Sequence, residues 1–159
     1  MEEYTALMKQ AVQKLKKEGY EHTGFGDIFL EDLKAYREEQ LSTLGIKCHF
    51  PLWKRNTKEL TKEFFSLGFK AVVICINNKS LDKSFCGKEY NEYFLSNLPK
   101  DVDPCGENGE FHTFCYDGPI FKYPIRFKKG EQVFKEYKNP DKSQKSSKLG
   151  FWFQDLILK

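Results

Sequence analysis

The sequence holds no apolar run near the roughly 20 residues that a helix needs to cross a bilayer. Met1 is followed by Glu2 and Glu3 rather than by a basic and then apolar leader. Neither a membrane span nor a secretory signal is expected, and the protein is read as cytoplasmic. Strong charge of one sign is missing too: 26 Lys and Arg against 23 Asp and Glu leave a formal net charge of +3, spread along most of the chain. So even a balance creates no field for a polyanion, and no nucleic-acid or membrane partner is expected. The five cysteines, Cys48, Cys75, Cys86, Cys105 and Cys115, make no CxxC pair and no disulfide framework. They read as reduced thiols, with Cys75 in the core and Cys105 structural. His22, His49 and His112 are scattered and the cysteines lie far from ligand spacing, so no tetrahedral metal set is expected. No internal repeat is found.

What is present is a globular composition. Hydrophobic residues make up 40% and charged residues 31%, with an aromatic content of 16% that is high for a soluble protein. The chain is long enough for one ordinary domain with a sizeable core. The run Lys135 to Lys148, with lysines among Ser, Asn, Pro and Gln, reads as a solvated loop.

Periodicity divides the chain in two. Tyr4, Leu7, Met8, Ala11, Val12 and Leu15 recur at helical spacing and predict a helix over Glu2 to Lys17, ended by Gly19. A strand over His22 to Gly26, a helix over Leu30 to Leu44, a strand over Ile46 to Phe50 and a helix capped at Asn56 or Thr57 follow. Lys70 to Asn77 is a continuous β-branched run of the kind buried on both faces in parallel sheets. The rhythm is βαβαβ. Short helical stretches are expected over Lys88 to Leu98. Aromatic, alternating strands then cover Phe111 to Tyr116, Ile125 to Tyr137 and Gly150 to Leu158, with turns at Asp117-Gly118-Pro119 and Lys129-Gly130.

Chemistry-bearing residues concentrate in Asp103-Pro104-Cys105-Gly106-Glu107-Asn108-Gly109-Glu110-Phe111-His112-Thr113. Gly106 and Gly109 allow a sharp turn or a close backbone approach to a ligand. Strand alternation after Glu110 sets His112 opposite Phe111 and Thr113, so Glu110 and His112 are expected on one face. Paired carboxylates beside an imidazole suit Mg²⁺ binding, ammonia orientation or proton removal from an attacking amine; a tight hairpin with solvated glutamates is the plainer reading. A second candidate is Gly26-Asp27-Ile28, where a strand gives way to a helix, a place where α/β folds bind ligands. Asp27 is equally suited to capping that helix. Trp53 is as well placed to close the core as to stack on a base.

These segments, with Phe50-Pro51-Leu52-Trp53 and Asp117-Gly118-Pro119-Ile120-Phe121, occur in an order that resembles the diphthine ammonia ligase family of ATP pyrophosphatases, in the PP-loop superfamily. The resemblance covers most of the chain. It implies an α/β fold: a truncated Rossmann-like (PP-loop, HUP-type) parallel sheet over residues 1–98, then a small, mostly β substrate-binding lobe over 99–159. It implies ATP with Mg²⁺ as cofactors, ATP or AMP, ammonia and a carboxylate acceptor (diphthine on a translation factor) as partners, and diphthamide biosynthesis as the setting. Glu107, Glu110 and His112 are then the catalytic candidates, and Gly106, Asn108, Gly109 and Thr113 bind substrate. The same resemblance implies that Gly26, Asp27 and Ile28 bind the adenosine part of the nucleotide.

One departure stands out. The family's Ser-Gly-Gly-Lys-Asp-Ser loop, which cradles the ATP phosphates, has no counterpart between Met1 and Lys159. The chain is expected to represent the family without its N-terminal portion, to be incomplete as a ligase, and to form a homo-oligomer that covers the exposed edge of its sheet. A non-catalytic nucleotide-binding or subunit-interaction remnant, or the same chemistry on another acceptor, stand beside the ligase reading.

Overall fold

The computed structural model describes residues 2–138 and 148–159. The chain separates into two compact units, Met1–Arg55 and Asn56–Lys159. In the first, helix α1 (Glu2–Lys17) follows the predicted bounds. Strand β1 (His22–Gly24), helix α2 (Glu31–Ser42) and strand β2 (Lys47–His49) then form a βαβ unit. β1 and β2 pair in parallel, with Thr23 opposite Cys48 and Gly24 opposite His49. The first unit buries little: among the described residues Asp27, Ile28, Leu41 and Ile46 are buried, while Leu7, Met8 and Leu15 on α1 stay exposed. At the end of α2, Lys16 of α1 donates to the carbonyl of Leu44.

The second unit opens with helix α3 (Thr57–Ser66), capped by Asn56, whose side-chain oxygen accepts the N–H groups of Lys58 at 3.0 Å and Glu59 at 3.2 Å. Two donors that a helix start leaves unsatisfied are thereby paired. Gly68, at φ +80°, reverses the chain into strand β3 (Lys70–Asn77). A short 3₁₀ turn (Lys83–Phe85), strand β4 (Glu89–Tyr90) and helix α4 (Glu92–Ser96) follow. Strands β5 (Phe111–Asp117), β6 (Phe127–Lys138) and β7 (Lys148–Leu158) complete the unit.

The sheet order is β4-β3-β7-β6, with β5 also paired to β3. Its core is Ala71, Val73, Ile76, Leu81, Cys86, Tyr90, Phe94, Val102 and Phe111. Tyr90 is the hub of an aromatic cluster, its ring within 5.3–5.9 Å of Phe64, Phe65, Phe94 and Phe111. Such ring pairs add roughly 0.5–1.5 kcal/mol each beyond simple burial.

The chain is thus mixed α/β, a parallel pair with helices followed by a β-rich part, as the sequence implied. Several details differ. β3 is buried on both faces, but every neighbour runs antiparallel to it; burial by partners on both edges and rings above writes the same apolar run that a parallel strand shows. Residues on either side of the 98/99 position share this sheet, because β3 pairs with both β5 and β7. Lys88 to Leu98 is only partly helical, since Glu89 and Tyr90 pair with Val72 and Ala71. Lys129-Gly130 is not a turn but the start of a bulge inside β6, between Lys129 and Gln132. Gln154 pins that bulge, donating from Nε2 to the Gly130 carbonyl at 2.9 Å. Of the expected loop Lys135 to Lys148, residues 135–138 belong to β6 and 139–147 lie outside the described residues. Phe151-Trp152-Phe153 lies in the strand expected over Gly150 to Leu158, set between β3 and β6.

Asn56 gives the fold a direct check. Asn56→Ala removes the acceptor for two amides and is expected to lower the unfolding free energy by about 1 kcal/mol in urea denaturation; Asn56→Asp should restore most of the loss.

Candidate functional site

The candidate motif is a turn built around one buried carboxylate. Glu110, only 6% exposed, points its side chain back into the turn that precedes it. Its Oε1 accepts the Asp103 N–H and the Asn108 side-chain amide, each at 3.0 Å, and its Oε2 accepts the Asn108 N–H at 3.0 Å. Asp103 does the complementary work. Its Oδ1 accepts the amides of Cys105 at 2.8 Å and Glu107 at 3.3 Å. Gly106 and Gly109 sit at φ +71° and +80°, where a side chain is strained, and a Cβ on Gly106 would meet the Phe111 carbonyl at 2.7 Å. The turn is tied outward to the core and to the central strand. Tyr90 donates its hydroxyl to the Pro104 carbonyl at 2.7 Å, and Asn77 donates its amide to the Glu110 carbonyl at 2.8 Å.

This geometry sorts the sequence candidates. Gly106 is buried, Glu107 and Gly109 are half-buried, and Asn108 is exposed apart from its bonds to Glu110. His112 and Thr113 are exposed on β5, opposite Cys75 and Val73 of β3, with a bulge in β3 at Ile74 between those two pairs. Glu110 and His112 therefore part company in burial. Alternation starts only with Phe111, and Glu110 still belongs to the turn, so counting back from the strand misplaces it. A carboxylate already accepting three N–H groups acts first as an anchor, whereas the exposed imidazole of His112 is open to solvent and to a ligand. Asp103 heads the motif without a role of its own in the sequence analysis; the Asp-Pro pair before a glycine turn is the signal for one.

In the first unit, Gly26-Asp27-Ile28 follows β1. Asp27 is buried beside Arg37 of α2, with Arg37 Nη2 donating to Oδ1 at 3.2 Å and Nε 2.7 Å from Oδ2. The second contact is an ion pair outside hydrogen-bonding alignment. The Arg37 guanidinium also lies 4.4 Å from the centre of the Phe25 ring, which stacks on Phe50 at 5.5 Å. Trp53 meets Phe50 edge-on at 6.1 Å, and Lys34 lies over both rings at 5.2–5.3 Å. Asp27 is not a helix cap: the N-cap of α2 is Leu30, and Glu31 and Asp32 supply the acid in the first turn. Arg37 stands ten residues from Asp27, and no local spacing rule pairs them.

The sequence also did not single out Glu89. It borders three clefts of the second unit, of about 500, 610 and 500 Å³. Its Oε2 accepts the Tyr116 hydroxyl at 2.9 Å, and its Oε1 lies 3.7 Å from Lys129 Nζ. Burial first, and then the hydrogen bond to Glu89, pushes the Tyr116 hydroxyl up to about 12. Cys105 is structural. Its thiol approaches the Thr57 carbonyl at 3.4 Å, and burial pushes it up to about 12, far from a nucleophile's range. Among the described residues no group of three or more His, Cys, Asp or Glu side chains is disposed to hold a metal ion, and no helix is long and apolar enough to cross a membrane.

Comparison with known proteins bears on the second unit above all. The family model for the diphthamide synthase C-terminal domain matches residues 56–149, beginning where the second compact unit begins. Among curated proteins, the diphthine--ammonia ligase of Homo sapiens is 34% identical over 127 residues, covering 76% of this chain and 48% of the relative. That of Mus musculus is 32% identical over 123 residues, 74% of this chain and 46% of the relative. That of Danio rerio is 28% identical over 131 residues, 79% and 50% respectively. The chain spans about half the length of these relatives.

Two outcomes follow from the geometry. Glu110→Ala leaves two backbone amides without their acceptor and is expected to cost on the order of 3 kcal/mol by denaturant unfolding, with Asp103→Ala costing less. Above pH 10 an unfolded chain ionises its tyrosines, while Tyr116 keeps its proton until about pH 12. The unfolded state then binds fewer protons, so stability should fall as pH rises from 10 to 12. Tyr116→Phe should flatten part of that fall and leave the part due to Tyr90, whose hydroxyl is likewise raised by burial.

Proposed function

The chain belongs to the family of the diphthamide synthase C-terminal domain, and on that premise we propose that it carries the acceptor side of an ATP-dependent amide-forming ligase. In that reaction a carboxylate is activated as an acyl adenylate with release of pyrophosphate, and ammonia then displaces AMP. The reading assigns acceptor binding to the segment 99–159 and adenosine binding to 1–98. The single observation that carries it is the turn from Asp103 to Glu110, which spends a buried carboxylate on holding its own backbone while leaving Asn108, His112 and Thr113 exposed beside it. Buried charge is costly unless fully hydrogen-bonded, and a surface loop with no ligand to position has little use for it.

Roles follow from exposure. His112, whose exposed imidazole carries a ring nitrogen able to accept a proton, is suited to taking the proton that leaves an attacking amine. Glu107 is the carboxylate to orient ammonia or the acceptor, and Gly106, Asn108, Gly109 and Thr113 line the acceptor. Glu110 acts through the turn rather than on the substrate. Diphthine is the acceptor that the relatives' names suggest; another carboxylate with the same chemistry fits these residues equally.

The fit to the nucleotide is partial. Around Gly26 nothing lies within 4 Å of where a Cβ would stand, so a ligand can approach that backbone closely, and Asp27 is held rigidly by Arg37 next to it. For the triphosphate and Mg²⁺ the residues do not fit. The 159 residues contain no glycine-rich, lysine-bearing loop, and no carboxylate cluster among the described residues would hold the ion. No phosphate step is therefore assigned to this chain.

A second reading, a subunit-interaction module, draws on the first unit. A parallel pair of two three-residue strands is too small to be stable alone, and α1 leaves Leu7, Met8 and Leu15 exposed. Both features suit a homo-oligomer.

Pyrophosphate release from ATP, with ammonia and a carboxylate acceptor, is expected to stay at background for this chain alone; robust turnover would overturn the division of labour. Calorimetry separates the readings, because an adenosine site predicts binding of AMP, while a pure interaction module binds neither AMP nor ATP and sediments as a dimer.

A further inference from the structure

The first unit brings together two histidines that lie 27 positions apart in sequence and have no part in the reading above. His22 on β1 and His49 on β2 project from the same exposed face of the parallel pair. They are diagonal neighbours. His22 stands opposite Lys47, and His49 stands opposite Gly24. The space over Gly24 is open, with nothing within 4 Å of where its Cβ would stand, and the imidazole of His49 reaches along the sheet to His22. The rings meet at 5.0 Å between centroids, tilted by 33°, with His22 Nδ1 2.7 Å from His49 Nε2.

A nitrogen-to-nitrogen contact this short is one N–H donating to one lone pair. If the donating ring moves its proton to its other nitrogen, two neutral imidazoles present two lone pairs toward one point, with no net proton lost. Bonds of about 2.0–2.1 Å at a tetrahedral centre hold two imidazole nitrogens about 3.3 Å apart. The present separation of 2.7 Å therefore needs to open by well under 1 Å, within reach of small side-chain rotations at exposed positions. Cys48, the residue before His49 on β2, belongs to the opposite half-buried face, its thiol directed to the Arg37 carbonyl at 3.9 Å, and is not a third ligand.

We propose that His22 and His49 form a two-nitrogen chelate for a borderline divalent transition-metal ion such as Ni²⁺ or Zn²⁺, with the remaining coordination positions open to water or an anionic ligand. Imidazole pairs select Ni²⁺ and Zn²⁺ over Mg²⁺, which prefers oxygen donors and keeps its waters. The proposal is independent of the ligase reading, since neither histidine belongs to the turn of the second unit.

The test is titration of the untagged full chain with Ni²⁺, Zn²⁺ and, as a control, Mg²⁺, followed by calorimetry and by the histidine ring protons in NMR. The chelate predicts saturable one-to-one binding of Ni²⁺ and Zn²⁺ but not Mg²⁺, with ring signals of two of the three histidines perturbed. His22→Ala and His49→Ala should each weaken binding at least tenfold, and His112→Ala should leave it unchanged. Should either variant lose its fold by circular dichroism, His22→Asn and His49→Asn replace it, and the ring signals of the unaltered chain decide by themselves. Binding that survives either substitution, perturbation of His112 alone, or no saturable binding would overturn the proposal.

Discussion

One buried carboxylate organises the part of the molecule that matters most. Glu110 stands at the junction between an irregular turn and a central strand pair, and both its ends are committed. Its side chain gathers the amides of Asp103 and Asn108, and its backbone carbonyl receives the amide of Asn77 at the end of β3. Without that double commitment the turn has no reason to keep one shape, because eight residues with two glycines at positive φ have ample conformational freedom to lose. With it, His112 and Thr113 enter β5 in a fixed register against β3. The Tyr90 hydroxyl secures the other flank through Pro104, so the turn hangs between an aromatic core and the central strand.

The first unit is held by different means. Its buried residues are few, and its cohesion rests on the Asp27–Arg37 pair, on the guanidinium over Phe25, and on the stack from Phe25 through Phe50 to Trp53. A buried ion pair of this sort offsets its desolvation only when geometry is good, and is better suited to fixing one arrangement than to adding stability. The contrast suits a chain that spans half of its relatives: the unit matched by the family model has its own dense core, and the unit before it presents short strands and an apolar helix face.

Much of this was legible in the residues. The α1 periodicity, the Asn56 cap, the β3 run and the Gly106/Gly109 turn each follow from local rules, and local rules carry over because they depend on neighbours in sequence. The family was legible for the same reason, since its motifs are short and ordered. Features that needed the third dimension were not. Strand direction around β3 could not be read from burial alone. The inward turn of Glu110 looked like strand alternation, and a bulge at Gly130 looked like a turn. Arg37 as the partner of Asp27, Glu89 among the clefts, and the meeting of His22 with His49 rest on contacts between residues 10 to 27 or more positions apart, for which no spacing rule exists.

The most direct measurement is native-state amide hydrogen exchange at Asp103 and Asn108. Both amides lie in an irregular turn, where exchange is ordinarily fast, and the account predicts that both are strongly protected and exchange together with β3 through the Glu110 carboxylate. Exchange of either at the rate of an unstructured loop would contradict it, and the preorganised turn would lose its physical basis.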